Sequence, residues 1–160
     1  MTNLAGPENQ SPDAPHLRVL AQYVKDLSFE NPTANAARNG DTPPSIEMGI
    51  DVNAHPLNEG EAFEVDLRIG AKATRGDEVM FITELVYSGV FQFVNVPQAD
   101  VEPLLLIECP RLLFPFSRRL LAEVTREGGY PPLLIDPIDF AALYRAQLRE
   151  REAKAGGPAA

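Results

Sequence analysis

SIEMGIDVNA, residues 45–54, and AFEVDLRIGAKA, residues 62–73, alternate apolar and polar side chains almost one for one. In the first, Ile46, Met48, Ile50 and Val52 share a face opposite Glu47, Gly49, Asp51 and Asn53. In the second, Phe63, Val65, Leu67, Ile69 and Ala71 oppose Glu64, Asp66, Arg68 and Lys72. A period of two sends successive side chains to opposite sides of an extended chain, so both stretches predict strands with one face on a core and one in water. TRGDE, residues 74–78, follows as a tight turn into VMFITELVYSGVFQF, residues 79–93, a fourth strand closing a hairpin. Phe81, Thr83, Leu85 and Tyr87 share one of its faces, Ile82, Glu84 and Val86 the other, and Gly89 reads as a bulge. Upstream, LRVLAQYVKDLSFEN, residues 17–31, predicts a first strand, with Tyr23, Lys25, Leu27 and Phe29 alternating with Val24, Asp26, Ser28 and Glu30.

After Pro97 the period changes. ADVEPLLLIE (99–108) and PRLLFPFSRRLLAEVTREGG (110–129) are apolar at helical spacing, which predicts a short helix and a long one capped by the Gly doublet. Pro115 removes a backbone donor, so it either kinks the long helix or delays its start. YPPLLIDP (130–137) is an extended linker, and IDFAALYRAQLREREAK (138–154) an amphipathic helix with Asp136 or Asp139 near its start. Strands first and helices afterwards give an α+β domain, a four-stranded antiparallel sheet packed on one face by helices. Residues 17–152 form that domain, and the ends, 1–16 and 153–160, have little to bury and are expected to be disordered tails.

The chain of 160 residues is long enough for one core. Its net charge of −9 repels phosphate backbones and favours basic polypeptide partners over nucleic acid. A single cysteine, Cys109, builds no disulfide framework, and the first residues lack the pattern of a signal peptide, so a soluble cytoplasmic protein that does not insert into membranes is expected. His16 falls in the N-terminal tail and His55 in a turn before Pro56, neither at a zinc-ligand spacing, so no metal site is expected. Cys109 has no structured histidine to activate it and reads as packing. Asp26, Glu30, Glu47, Asp51, Glu64, Asp66 and Glu84 fall on polar strand faces; singly they are solvated, but together they form a negative platform for basic partners. LLLIECPRLLFPF (104–116) and PPLLIDPIDFAALY (131–144) carry more apolar surface than one sheet face needs. The surplus points to an oligomer interface, a hydrophobic groove, or both.

YVKDLSFENP (23–32), IECPRLLFPFSR (107–118) and GGYPPLLIDPIDFAALY (128–144) together resemble the SecB family of bacterial protein-export chaperones over nearly the whole structured region. The resemblance implies a homotetramer built as a dimer of dimers, working without ATP or cofactor as a holdase, not an enzyme. It would keep unfolded precursor proteins translocation-competent and pass them to the SecA motor. Carried over by residue, it implies SecA contacts at Asp26, Glu30, Ile82 and Glu84, and a client groove lined by Ile46, Met48, Ile50, Tyr130, Phe140 and Tyr144. The tail REREAKAGGPAA (149–160) gives no ground for a second SecA contact. A SecB-like adaptor or antitoxin chaperone dedicated to one partner is the alternative, and a hydrolase using buried carboxylates lacks a nucleophile.

Overall fold

Four strands, β1 (His16–Glu30), β2 (Ser45–Leu57), β3 (Ala62–Arg75) and β4 (Glu78–Val94), form one antiparallel sheet in the order β1-β4-β3-β2. The computed structural model describes residues 14–35 and 43–156, so most of the two expected tails lies outside the described residues. The β3–β4 hairpin is central, and β1 and β2 are the edges. Paired residues in an antiparallel ladder share a face. The pairs Ile50 with Ile69, Val52 with Leu67, and Ile69 with Leu85 therefore line up an inner apolar face. Asp51 with Arg68, and Lys72 with Ile82, lie on the outer face.

β1 departs from simple alternation. Its register against β4 slips between Val19 and Ala21 and again between Val24 and Asp26, leaving Leu20 and Lys25 as extra residues. A bulge inverts the phase of everything beyond it. Val24, opposite Tyr87, therefore shares the inner face with Leu27 and Phe29, while Tyr23, opposite Ser88, joins Asp26, Ser28 and Glu30 on the outer face. Gly89 is not a bulge: it pairs in register with Val65. A Cβ there would come within 2.8 Å of the Phe91 ring and 3.0 Å of Leu113, so glycine lets the long helix approach β4.

The two helices expected between Ala99 and Gly129 are one continuous helical run: α1 (Gln98–Pro103), a π turn (Leu104–Glu108) and α2 (Cys109–Glu127). A proline ring clashes with the carbonyl four residues back, which for Pro110 lies at Leu106, inside the wider π turn. The helix runs through Pro115 without a late start, ending at Gly128 and at Gly129, whose φ is 90°. α3 (Phe140–Ala155) is capped by Asp139, whose Oδ1 accepts from the Ala142 amide at 2.9 Å, and it extends beyond residue 152.

The inner face of β3 and β4 buries Val65, Leu67, Ile69, Leu85 and Phe91 against Leu105, Cys109, Leu113, Leu121, Ile135 and Phe140. Each large apolar side chain so enclosed contributes about 1.5–3 kcal/mol. A satellite cluster joins Phe29, Ala73, Met80, Phe81 and Tyr130, with ring centroids 5.7 Å apart for Phe29 and Phe81 and 5.1 Å for Phe81 and Tyr130. No helix among the described residues is long and apolar enough to cross a membrane.

Candidate functional site

The outer face brings Asp26, Glu30, Ile82 and Glu84 into one patch. Glu30 stands directly opposite Ile82, Ser28 opposite Glu84 and Asp26 opposite Val86, so Glu84 lies diagonally between the two β1 acids. Asp26 and Glu30 are exposed, and Ile82 is 37% exposed. All seven acids expected on polar strand faces share this outer face. It is nevertheless not uniformly negative. Arg68 donates from Nη1 to Glu84 Oε1, and Lys72 stands opposite both Glu47 and Ile82. The patch is acidic toward β1 and mixed toward β3, with the β1 carboxylates grouped around one exposed isoleucine.

Beside the patch lies a polar network that spans all four strands. Lys25, extruded at the bulge, reaches across β4 to β3, with Nζ 2.5 Å from Glu64 Oε1 and 3.2 Å from Asp66 Oδ2. Tyr23 Oη donates to Glu64 Oε2, Ser88 Oγ donates to Asp66 Oδ1 at 2.6 Å, and His55 Nε2 lies 3.3 Å from Asp66 Oδ2. The Lys25 ammonium, followed by the Tyr23 hydroxyl, holds the Glu64 carboxyl below its ordinary range. Burial pushes the Asp66 carboxyl up, but hydrogen bonds from Ser88 and Lys25 more than reverse this and leave it lowered. The hydrogen bond to Glu64 and burial push the Tyr23 phenol up to about 12.

Two sequence-based expectations about histidine need correction. His16 begins β1 and does not lie in the tail, and His55 lies in β2 opposite Glu64, not in a turn. Ligand atoms of His55, Glu64 and Asp66 consequently lie within 4.8 Å of one another, a cross-strand closeness that linear spacing cannot reveal. The Lys25 ammonium already pairs with both of its carboxylates.

The candidate groove residues divide. Ile46 and Tyr130 line one cavity of about 520 Å³ between the start of β2, the end of the β3–β4 hairpin and the linker after α2, together with Met80, Phe81, Leu133 and Leu134. Hydrogen bonds tie the linker down. Tyr130 Oη contacts the Met80 carbonyl at 2.9 Å and Asn31 Oδ1 at 2.6 Å, and Thr125 Oγ1 accepts from the Leu133 amide at 2.9 Å. Ile46 is 42% exposed and Leu134 63%, so the cavity opens to solvent. Met48 is exposed farther along the β2 edge, and Ile50 packs against the core. Phe140, only 1% exposed, belongs to the core, in edge contact with Phe114; it offers no groove surface. Tyr144 is half-buried on α3, outside this cavity.

Comparison with known proteins decides the family. The model of the preprotein translocase subunit SecB matches residues 10–151. The chain belongs to the SecB family. The protein-export protein SecB of Hyphomonas neptunium is 57% identical over 158 residues, covering 96% of this chain and 93% of that protein. That of Maricaulis maris is 58% identical over 151 residues, 94% of this chain and 87% of that one. The fold matches the SecB-like chaperone of Mycobacterium tuberculosis, solved with an antitoxin peptide, at a TM-score of 0.63 and 9% identity, covering 76% of this chain and 90% of that one. The high-identity relatives are export proteins, so SecB membership makes this chain a protein-export chaperone, and the dedicated-adaptor alternative is not favoured.

Proposed function

We propose that this SecB protein is a nucleotide-independent holdase of the cytoplasm. It holds unfolded precursor segments on its inner apolar side and offers the outer β1–β4 patch to the SecA motor. The observation that carries this reading is the open apolar cavity beneath Ile46 and Tyr130, bounded by the free edge of β2. An extended, unfolded chain can fill such a cavity with successive side chains and meet a strand edge with its backbone, gaining affinity without sequence specificity. Several copies engaging one client add avidity.

Assembly into a homotetramer, a dimer of dimers, is supported by a second apolar surface. α2 packs on β3 and β4, leaving Val19, Val24 and Leu27 of β1 more than 40% exposed, with Leu20 extruded at its bulge. Tyr87, paired with Val24, stacks on Phe116 at 6.0 Å, and Phe116 is itself exposed with Leu112 on α2. An apolar stripe of this kind is what a symmetric interface covers. The function asks for no enzymatic chemistry and no cofactor. Cys109 is the single cysteine, and burial pushes its thiol up to about 12, which keeps it un-ionised and unreactive at neutral pH.

The test is refolding of a slow-folding precursor with and without the purified protein, in the absence of nucleotide. Delayed refolding at stoichiometric protein is expected; refolding at the unassisted rate rejects the holdase reading.

A further inference from the structure

The cavity under Ile46 contains one polar feature that its apolar walls do not explain. Arg75, the last residue of β3, lines it. Its Nε is enclosed and has no hydrogen-bond acceptor, the one such buried side-chain atom found among the described residues. Nor does its guanidinium form an ion pair with any described residue, unlike Arg68, Arg111, Arg119 and Arg151. Buried donors are nearly always satisfied in native proteins, so an orphan one calls for an acceptor.

We propose that Arg75 anchors the main chain of a bound client by donating to a backbone carbonyl of the segment seated in the cavity. This rests on the client reading of the cavity and adds to it the group that recognises the backbone. Three considerations select a carbonyl over a carboxylate. The remaining lining is apolar side chains, prolines, glycine and Tyr130, whose hydroxyl is already bonded to Asn31 and the Met80 carbonyl, so a client carboxylate would find a single cation beside it. The chain's net charge of −9 repels acidic segments. A carbonyl, finally, is present at every residue of every unfolded chain, so an anchor for it keeps the site sequence-tolerant while fixing where the backbone enters. The apolar walls then take the flanking side chain, and Arg75 holds the register.

The probe is an N-acetylated, C-amidated nonapeptide of Leu, Phe, Ser and Gly, titrated into the full-length assembled protein. Arg75→Leu is expected to raise its Kd about tenfold, the scale of one hydrogen bond from a charged donor. Arg75→Gln, which keeps a neutral donor, is expected to recover most of that loss. Replacing single peptide amides by thioamides, which are weaker acceptors, gives a readout on the unmutated protein: one position is expected to lose affinity. Ile46→Arg, which fills the cavity, is expected to abolish binding. If Ile46→Arg binds normally, the client reading of the cavity fails and the anchor with it. If Ile46→Arg fails to bind but Arg75→Leu equals wild type, the cavity is right and the anchor is wrong. A loss in Arg75→Leu confined to peptides carrying Asp or Glu overturns carbonyl recognition in favour of ion pairing.

Discussion

Gly128→Ala tests how the helical half is locked to the sheet. Gly128 has φ −72° and ψ −4°, a conformation that alanine adopts freely, so backbone strain gives no reason for glycine there. Space does: an added Cβ would lie 2.6 Å from Phe29 Cε1 and 3.3 Å from the Thr125 carbonyl. Phe29 has little room to retreat, because it stacks on Phe81 at 5.7 Å and the end of β1 is tied by Asn31 Nδ2 donating to the Gly128 carbonyl at 2.9 Å. Overpacking of a closed site costs about 1–3 kcal/mol, roughly a 5- to 150-fold fall in the folding equilibrium constant. The assay is urea unfolding at fixed protomer concentration, since unfolding of an oligomer would depend on concentration. Phe29→Leu removes the ring that the methyl would strike, and in the same chain it is expected to return most of the loss, a coupling that a double-mutant cycle measures. Because Gly129 and Tyr130 line the cavity, client capture should weaken and recover in parallel. An unchanged urea midpoint, or a loss that Phe29→Leu does not relieve, would refute the argument.

Other expectations follow from the outer face and the core. Glu84→Lys should weaken SecA binding severalfold, since it reverses a charge between Asp26 and Glu30 and repels Arg68, while native mass and client holding stay unchanged; loss of the assembled mass would make Glu84 structural instead. Lys25→Met should destabilise by less than about 1 kcal/mol at pH 7, because the Lys25 side chain is 42% exposed and its ion pairs are screened by solvent. The effect has a defined pH window. Glu64 and Asp66 have lowered folded-state pKa values, so their contribution is present above the ordinary carboxylate range and lost as pH falls through the lowered values. The urea midpoints of wild type and Lys25→Met should therefore begin to draw together below about pH 4 and meet once both carboxyls are protonated; a difference that never narrows with falling pH rejects the clamp. Cys109 should resist iodoacetamide at pH 8 in the folded protein and react on unfolding, as mass spectrometry of the alkylated chain will read out.

The alternation of β2, β3 and β4 was legible because each strand buries one face and exposes the other without interruption. That the strand acids share one outer face was legible for the same reason, whereas the choice of Asp26, Glu30, Ile82 and Glu84 came from the family resemblance. Beyond Lys25, β1 returns to strict alternation, so Asp26 and Glu30 fall in phase with Ile82 and Glu84. What sat at the Lys25 bulge was not legible. A bulge adds a residue without any local signature, so Tyr23 was placed on the wrong face, and the clamp from Lys25 to Glu64 and Asp66, distant in sequence, could not be foreseen. His55 and Gly89 were misplaced because their surroundings come from neighbouring strands. In the helical half, apolar density announced a core or groove without dividing it. Phe140 went to the core and Tyr130 to the cavity wall, a difference decided by how the linker docks on Met80 and Thr125. The donor of Arg75 escaped notice because an unpaired nitrogen is visible only once its surroundings are built.

Under the proposed function, clients bind the inner side of the sheet and the motor binds the outer side. A photoreactive residue placed at Ile46 or at Ile82 of the assembled protein, irradiated with an unfolded precursor and SecA both present, reads that division directly. The expected result is precursor crosslinked from position 46 and SecA from position 82; precursor captured equally from both positions, or SecA captured from position 46, would contradict it.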